Sequence, residues 1–254
     1  MIILNSRQMI YVHLHKCGGT SIEASFEPAA RWNDLILGST PLGEVMQTHY
    51  ARRFSLEKHS TATEIIAAVG EDLWNSYTTW TTVRSPYGRI TSHYNYIASI
   101  AEPLIAGSSF PASASANEQK AWVESASYPK TKPWSYAGVK AYLSTRSSSR
   151  PFSEFIRHPA VLAATGYKPQ FDQLSDPNTG KMLVADSVKL EQLNDRWVGI
   201  CTNFRLPDLK LLTRNVTHKS FRKDSKELLS YRDDVDFINK KYKNDFKVFG
   251  YDMV

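Results

Sequence analysis

Six consecutive residues, Lys16-Cys17-Gly18-Gly19-Thr20-Ser21, gather groups that bind an anion. Two glycines let the main chain approach a ligand closely. A helix starting here turns its free amides and positive dipole end toward that ligand. Lys16 adds a point charge, and Thr20 and Ser21 add hydroxyl donors, a set suited to phosphate or sulfate. The ATP-type loop Gly-x-x-x-x-Gly-Lys-Ser/Thr occurs nowhere in the chain, because here the lysine precedes the glycines. A plain strand-to-helix turn with an exposed lysine uses the same residue types. Cys17 beside a lysine at a helix start suits a thiolate. A phosphatase-type thiolate needs an arginine six positions on, and Glu23 stands there, so Cys17 reads as a small loop residue.

A second group follows at Val83-Arg84-Ser85-Pro86 through Ser92-His93-Tyr94. Arg84 falls where a strand ends, the edge at which α/β folds hold ligands. Arg84 and Ser92 together suit a second phosphate, and Arg89 suits either that phosphate or an internal salt bridge. Two anion motifs about 65 residues apart point to one ligand with two separated anionic groups. Proton transfer calls for histidine, whose unperturbed pKa of about 6.5 lies near neutrality. There are seven: His13, His15, His49, His59, His93, His158 and His218. Strand alternation sends His13 and His15 to one side, where packing or hydrogen bonding is the main reading.

The elements that must position these groups alternate between strands and helices. Met9–Leu14 is rich in β-branched and aromatic residues and predicts a strand. A short helix capped by Thr20 or Ser21 follows and meets Pro28. Thr61 or Thr63 opens a helix to about Val69 before Gly70. Tyr77–Val83 predicts a strand, and Tyr87–Ile100 a helix with Ile90, Tyr94 and Ile97 on one face. Met182–Ala185 predicts a short strand, Leu190–Cys201 a helix, Phe152–Ile156 the start of a helix, and Lys226–Phe246 one final helix. The sum is an α/β fold with a mainly parallel sheet. Residues 101–120, rich in Ser, Ala and Pro, begin a loop-rich insertion over about 101–150 within a single domain of 1–254.

Composition bounds the class. With 254 residues, 42% apolar and 22% charged, the chain is long enough for a core without staples. Two cysteines exclude a disulfide scaffold and a Cys-only zinc site, and no metal cluster is visible. A net charge of +6 suits an anionic ligand but is too small for a dedicated nucleic-acid binder. There is no apolar run of membrane-spanning length and no secretory signal, which predicts a cytoplasmic protein. Oligomeric state has no signature in the sequence.

The two motifs together resemble the sulfotransferases that use 3′-phosphoadenosine 5′-phosphosulfate (PAPS). His15-Lys16-Cys17-Gly18-Gly19-Thr20-Ser21-Ile22 is similar to their 5′-phosphosulfate loop, and Val83–Tyr94 to their 3′-phosphate motif. Within them the chain resembles sulfotransferase family 2, which contains heparan sulfate 2-O-sulfotransferases, chondroitin-type enzymes and small bacterial members. Looser similarities lie at Lys168-Pro169-Gln170-Phe171, Val184–Glu191, Leu206-Pro207, Asn215-Val216-Thr217 and Phe249-Gly250-Tyr251. His15 stands where related loops commonly carry proline, and Gly88 where they carry an acidic residue. The resemblance implies a P-loop-like three-layer fold and in-line transfer of a sulfuryl group from PAPS to a hydroxyl, of a carbohydrate for preference, without a metal. It implies Lys16 at the leaving phosphate and the amides of Cys17, Gly18, Gly19, Thr20 and Ser21 around the same group. Arg84 and Ser92 take the 3′-phosphate. Glu57–Ala62 is similar to the segment carrying the family's histidine base, which favours His59, with Glu57 as the alternative base and an exposed polar loop as the competing reading. Lys219 and Ser220 lie where a family loop folds over the nucleotide, although a solvated basic loop reads the same way. Trp134, Tyr136 and Tyr142 suit either an acceptor platform or core packing. A silent module of the same fold, binding nucleotide or glycan, is the alternative to an enzyme. A nucleoside-triphosphate kinase fits poorly without Walker spacing.

Overall fold

The computed structural model describes residues 1–106, 136–214 and 223–254, together with 115, 117, 118 and 121. They fall into two compact units. The first comprises Met1–Ser85, Pro169–Val216 and Tyr242–Met253, and the second Pro86–Lys168, Thr217–Lys241 and Val254.

The first unit is built on five strands: β1 (Ile2–Leu4), β2 (Met9–Val12), β3 (Leu35–Ile36), β4 (Thr78–Val83) and β5 (Asp186–Lys189). Their order is β3-β1-β2-β4-β5. β2 pairs parallel with β4, and β4 with β5, while β1 runs antiparallel to both β2 and β3. Four of the strands therefore share one direction. Side-chain alternation divides the sheet between two apolar layers. Ile3, Ile10, Val12 and Val83 face one layer with Ile65, Trp74, Leu174 and Phe249. Ile2, Leu4, Met9, Tyr11 and Trp80 face the other with Ile22, Phe26 and Trp197. A strand covered on both faces needs apolar residues at every position, which is why Met9-Ile10-Tyr11-Val12 is buried throughout.

Helices complete those layers: α1 (Gly19–Phe26), α2 (Pro41–Phe54), α3 (Ala62–Val69) and α4 (Glu71–Ser76). The α3 start is fixed by a capping box between Thr61 and Glu64. The helix expected from Thr20 or Ser21 starts earlier, at Gly19, with Gly18 at the cap position. The strand expected at Met182–Ala185 lies instead at Asp186–Lys189. The apolar run packs as loop against the core, and Ala185 hands the chain to the sheet by donating its amide to Thr79 O (3.1 Å).

The second unit is helical: α5 (Pro86–Ala106), α6 (Tyr136–Thr145), α7 (Pro151–Arg157) and α8 (Pro159–Ala163). α5 runs six residues past its expected end at Ile100, and the remainder of the 101–120 segment lies largely outside the described residues. Ile90, Tyr94 and Ile97 share its buried face as the spacing predicts, and Tyr94 meets Tyr142, Phe152 and Phe155 at ring distances of 5.1–5.5 Å. Back in the first unit, α9 (Gln170–Leu174) and α10 (Leu193–Asn203) follow. The single helix expected over Lys226–Phe246 is three: α11 (Ser225–Leu228) and α12 (Arg232–Lys241) in the second unit, and α13 (Lys243–Phe249) in the first. The helical dihedrals lapse at Leu229 and again at Tyr242, where the chain passes between units. Among the described residues no helix is long and apolar enough to cross a membrane.

Candidate functional site

Because β2 and β4 are parallel neighbours, the loops that follow them leave the sheet at the same edge. That topology brings Lys16 and Arg84 together: Arg84 Nη1 donates to the Lys16 carbonyl oxygen at 3.3 Å. The loop turns sharply through two residues of left-handed backbone, Lys16 at φ 65° and Gly18 at φ 82°. A lysine held there is uncommon and signals a constraint imposed by the surroundings. Both glycines are also required by contact. A Cβ on Gly18 would lie 2.6 Å from Leu190 Cδ1, and one on Gly19 would lie 2.1 Å from the His13 ring. The Ser21 and Ile22 amides close on Gly18 O (3.0 and 3.4 Å), and those of Gly19 and Thr20 precede the first intrahelical bond.

Hydrogen bonds fix this loop from behind. Thr82 Oγ1 donates to Cys17 O at 2.7 Å, and Tyr11 and Thr82 share a hydroxyl contact at 2.6 Å. Gln170, wholly buried, accepts from the Arg84 amide and donates to the Arg84 carbonyl, both at 2.9 Å. Its Oε1 also receives the Cys17 thiol at 3.2 Å. Asp245, equally buried, takes the amides of Gln170 (2.9 Å) and Phe171 (2.8 Å). Cys17 thus serves the loop's structure, in line with its reading as a small loop residue. Ser21 is also drawn into shaping the turn: its amide donates to Gly18 O (3.0 Å) and its hydroxyl accepts from the Arg214 amide (3.0 Å).

Charge gathers on the other side. Burial first, and then the like charge of Arg84, push the Lys16 ammonium down to about 8. Lys58 reaches the Thr20 hydroxyl at 3.3 Å, bonds to the Ser39 hydroxyl and lies 3.5 Å from Glu23 Oε2. Sequence reasoning missed Lys58, Gln170 and Asp245 as parts of the site. Lys58 adjoins His59, and Gln170 lies in a segment singled out by resemblance, so both had a faint signal.

Glu23 is wholly buried. It accepts from His13 Nδ1 at 2.5 Å and lies 3.2 Å from the Met1 amino nitrogen. Burial opposes its ionisation, but His13, the amino group and Lys58 outweigh that and hold the carboxyl well below the usual range. His13, pushed down to about 4 chiefly by burial, is an uncharged imidazole at neutral pH.

His59 completes the group. Its ring packs on His15 at 3.5 Å and meets His13 edge-on at 4.5 Å. The strand expected to reach Leu14 ends at Val12, so His13 and His15 lie in the loop beyond it, and it is the loop rather than strand alternation that brings both to the same ring. His59 Nδ1 lies 2.9 Å from the His13 carbonyl oxygen, which can only accept. Nδ1 must carry the hydrogen, leaving Nε2 with a lone pair. No hydrogen-bond partner among the described residues engages Nε2. Burial, followed by His15 and His13, holds this imidazole well below its ordinary value, so it is neutral at pH 7.

The other expected residues belong to the second unit or fall outside the described residues. Ser92 is half-buried on α5 in the second unit. Arg89 is wholly buried and donates from Nη2 to the carbonyls of Gly166 and Lys168, both at 2.8 Å, so it is a structural guanidinium. Tyr142 is a core residue whose hydroxyl donates to Glu102 at 2.6 Å. Lys219, Ser220, Trp134 and the Tyr136 side chain lie outside the described residues.

A family model described as "Sulfotransferase family" matches residues 1–252. No curated protein and no solved structure matches the chain.

Proposed function

Because the chain belongs to the sulfotransferase family, we propose that it moves a sulfuryl group from PAPS to a hydroxyl acceptor, of a carbohydrate for preference, with His59 as base. The observation that carries this reading is one arrangement in the first unit. A glycine-bearing helix start is ringed by Lys16, Lys58 and Arg84, and beside it His59 Nε2 has no hydrogen-bond partner among the described residues. Such a donor fits these residues on electrostatic grounds. Lys16 is depressed chiefly by burial and further by Arg84 and Lys58, and a polyanion seated among these cations relieves the repulsive part.

In this reading the amides at Gly18, Gly19 and Thr20 hold the 5′-phosphosulfate, with Cys17 and Ser21 shaping the turn. Lys16 faces the bridging oxygen and stabilises the charge that builds there as the sulfur–oxygen bond breaks. Lys58, through Thr20, lies near the transferring group. Arg84 takes the 3′-phosphate, and Ser92 is assigned the same group by its sequence motif, as Lys219 and Ser220 are assigned to the nucleotide. The acceptor oxygen attacks the sulfur in line and loses its proton to His59 Nε2. The bonding pair leaves with the 5′-phosphate, and His59 returns the proton to water. Positioning supplies much of the rate.

The test is a thermal melt with 3′,5′-diphosphoadenosine, without magnesium, against ATP with magnesium. The diphosphate raises the Tm and ATP does so much less, because a ligand that binds the native state alone stabilises it. Equal shifts from both ligands contradict the donor assignment. Tight binding with no sulfate transfer over a broad acceptor panel makes the chain a silent binding module instead.

A further inference from the structure

His15 has no role in the transfer described so far, yet it makes the closest ring contact in the site. Its imidazole lies 3.5 Å from that of His59 with only 25° between the planes. Two aromatic rings at that separation are in face-to-face contact, so neither turns without the other. The rest of the His59 environment is fixed independently. Its Nδ1 is tied to the His13 carbonyl, and His13 is itself pinned by Glu23 and pressed against Gly19.

The groups that face His59 are of one kind. The loop after β2 contributes His13 and His15, and its own segment contributes Lys58. The carboxylate of Glu23 stands behind His13 and is shared with Lys58 and the Met1 amino group. A protonated His59 therefore meets imidazoles and an ammonium, where the base of a serine-hydrolase triad meets a carboxylate.

We infer that His15 is a positioning residue for His59: its stacked ring fixes where Nε2 points and limits the pair to a single proton. This rests on His59 being the base. Two cationic rings in face contact repel strongly, so once His15 is charged His59 gains a proton only at lower pH. His59 thus remains a proton acceptor into mildly acidic solution, and the proton it takes during turnover is quickly released. Both features suit a base that must be reset after each transfer.

Two variants separate the parts of this assignment. His15→Phe keeps a flat ring in the stack and removes its charge, whereas His15→Ala removes both. The first measurement follows the His59 imidazole proton resonances by NMR against pH in the full chain, without ligand. The expected result is that His59 titrates at higher pH in His15→Phe, by about one pH unit. The second measurement is the pH profile of sulfate transfer. The acid limb of kcat/KM moves up with the NMR titration in His15→Phe. In His15→Ala, kcat falls by about tenfold at the plateau, as expected when a base is misplaced, with the KM for the donor little changed, and Phe restores most of the loss. An unchanged His59 titration in both variants overturns the inference, as does equal kcat in Ala and Phe variants. If the NMR titration moves and the rate profile does not, the contact between the rings stands and the base is another residue.

Discussion

The two walls of the Lys16 loop differ in how their hydrogen-bonding capacity is used. On the wall formed by Thr82, Cys17, Gln170 and Asp245, side chains are spent on one another and on main-chain groups of the loop. On the wall formed by Glu23, His13, His15, His59 and Lys58, charges cluster and one imidazole nitrogen faces no protein partner among the described residues. Partnered groups hold geometry, because each lost bond leaves a buried polar atom exposed to no water. Open groups supply chemistry, because only they can bond to something that arrives. The loop works by standing between the two.

That contrast is best broken by substitutions on either side. The largest effects are expected on the open wall and at Lys16. Lys16→Ala and His59→Ala each lower sulfate transfer by about 10²–10⁴-fold while the melting curve stays close to that of the parent. Near-normal turnover by His59→Ala would move the base elsewhere, with Glu57 the next residue to examine. On the saturated wall the effect is on folding. Gln170→Ala removes the side-chain partner of the Arg84 amide and carbonyl, one acceptor of the Cys17 thiol and one donor to Asp245. A loss of roughly 2–4 kcal/mol in urea unfolding follows. A loss below about 1 kcal/mol would mean that the network is decorative.

The smallest effect concerns acid. Burial keeps His13 at about 4 and His59 well below its ordinary value, so the native state refuses protons that the unfolded chain accepts near 6.5. The unfolded state then binds more protons, and stability declines as pH drops from about 6.5 toward 4. Melts at pH 7, 6 and 5 check this, and His13→Gln flattens the slope. A melting temperature that rises on acidification contradicts the assignment of neutral imidazoles to this wall.

What the sequence disclosed follows the same division. β2, the glycine loop and α1 were legible because a strand-turn-helix leaves a local pattern. The helix start at Thr61 was legible for the same reason, whereas its capping partner Glu64 came from the structure. The meeting of Lys16 with Arg84 followed from parallel strands sharing an edge. Lys58, Gln170 and Asp245 were not legible, because side-chain bonds between distant segments have no period and no spacing. Met182–Ala185 misled because an apolar run buries equally well as strand or loop, and only the ladder decides. Lys226–Phe246 misled because charged residues of high helix propensity mask the breaks at Leu229 and Tyr242.

The Cys17–Gln170–Asp245 chain of bonds spans 153 residues in its first link and 75 in its second. Its consequence is one of timing. While the polypeptide is still being made, the glycine turn emerges early, but the helix bearing Asp245 emerges more than two hundred residues later. A nascent chain therefore holds the residues of all five strands before it holds the carboxylate that ties Gln170 in place behind the glycine turn.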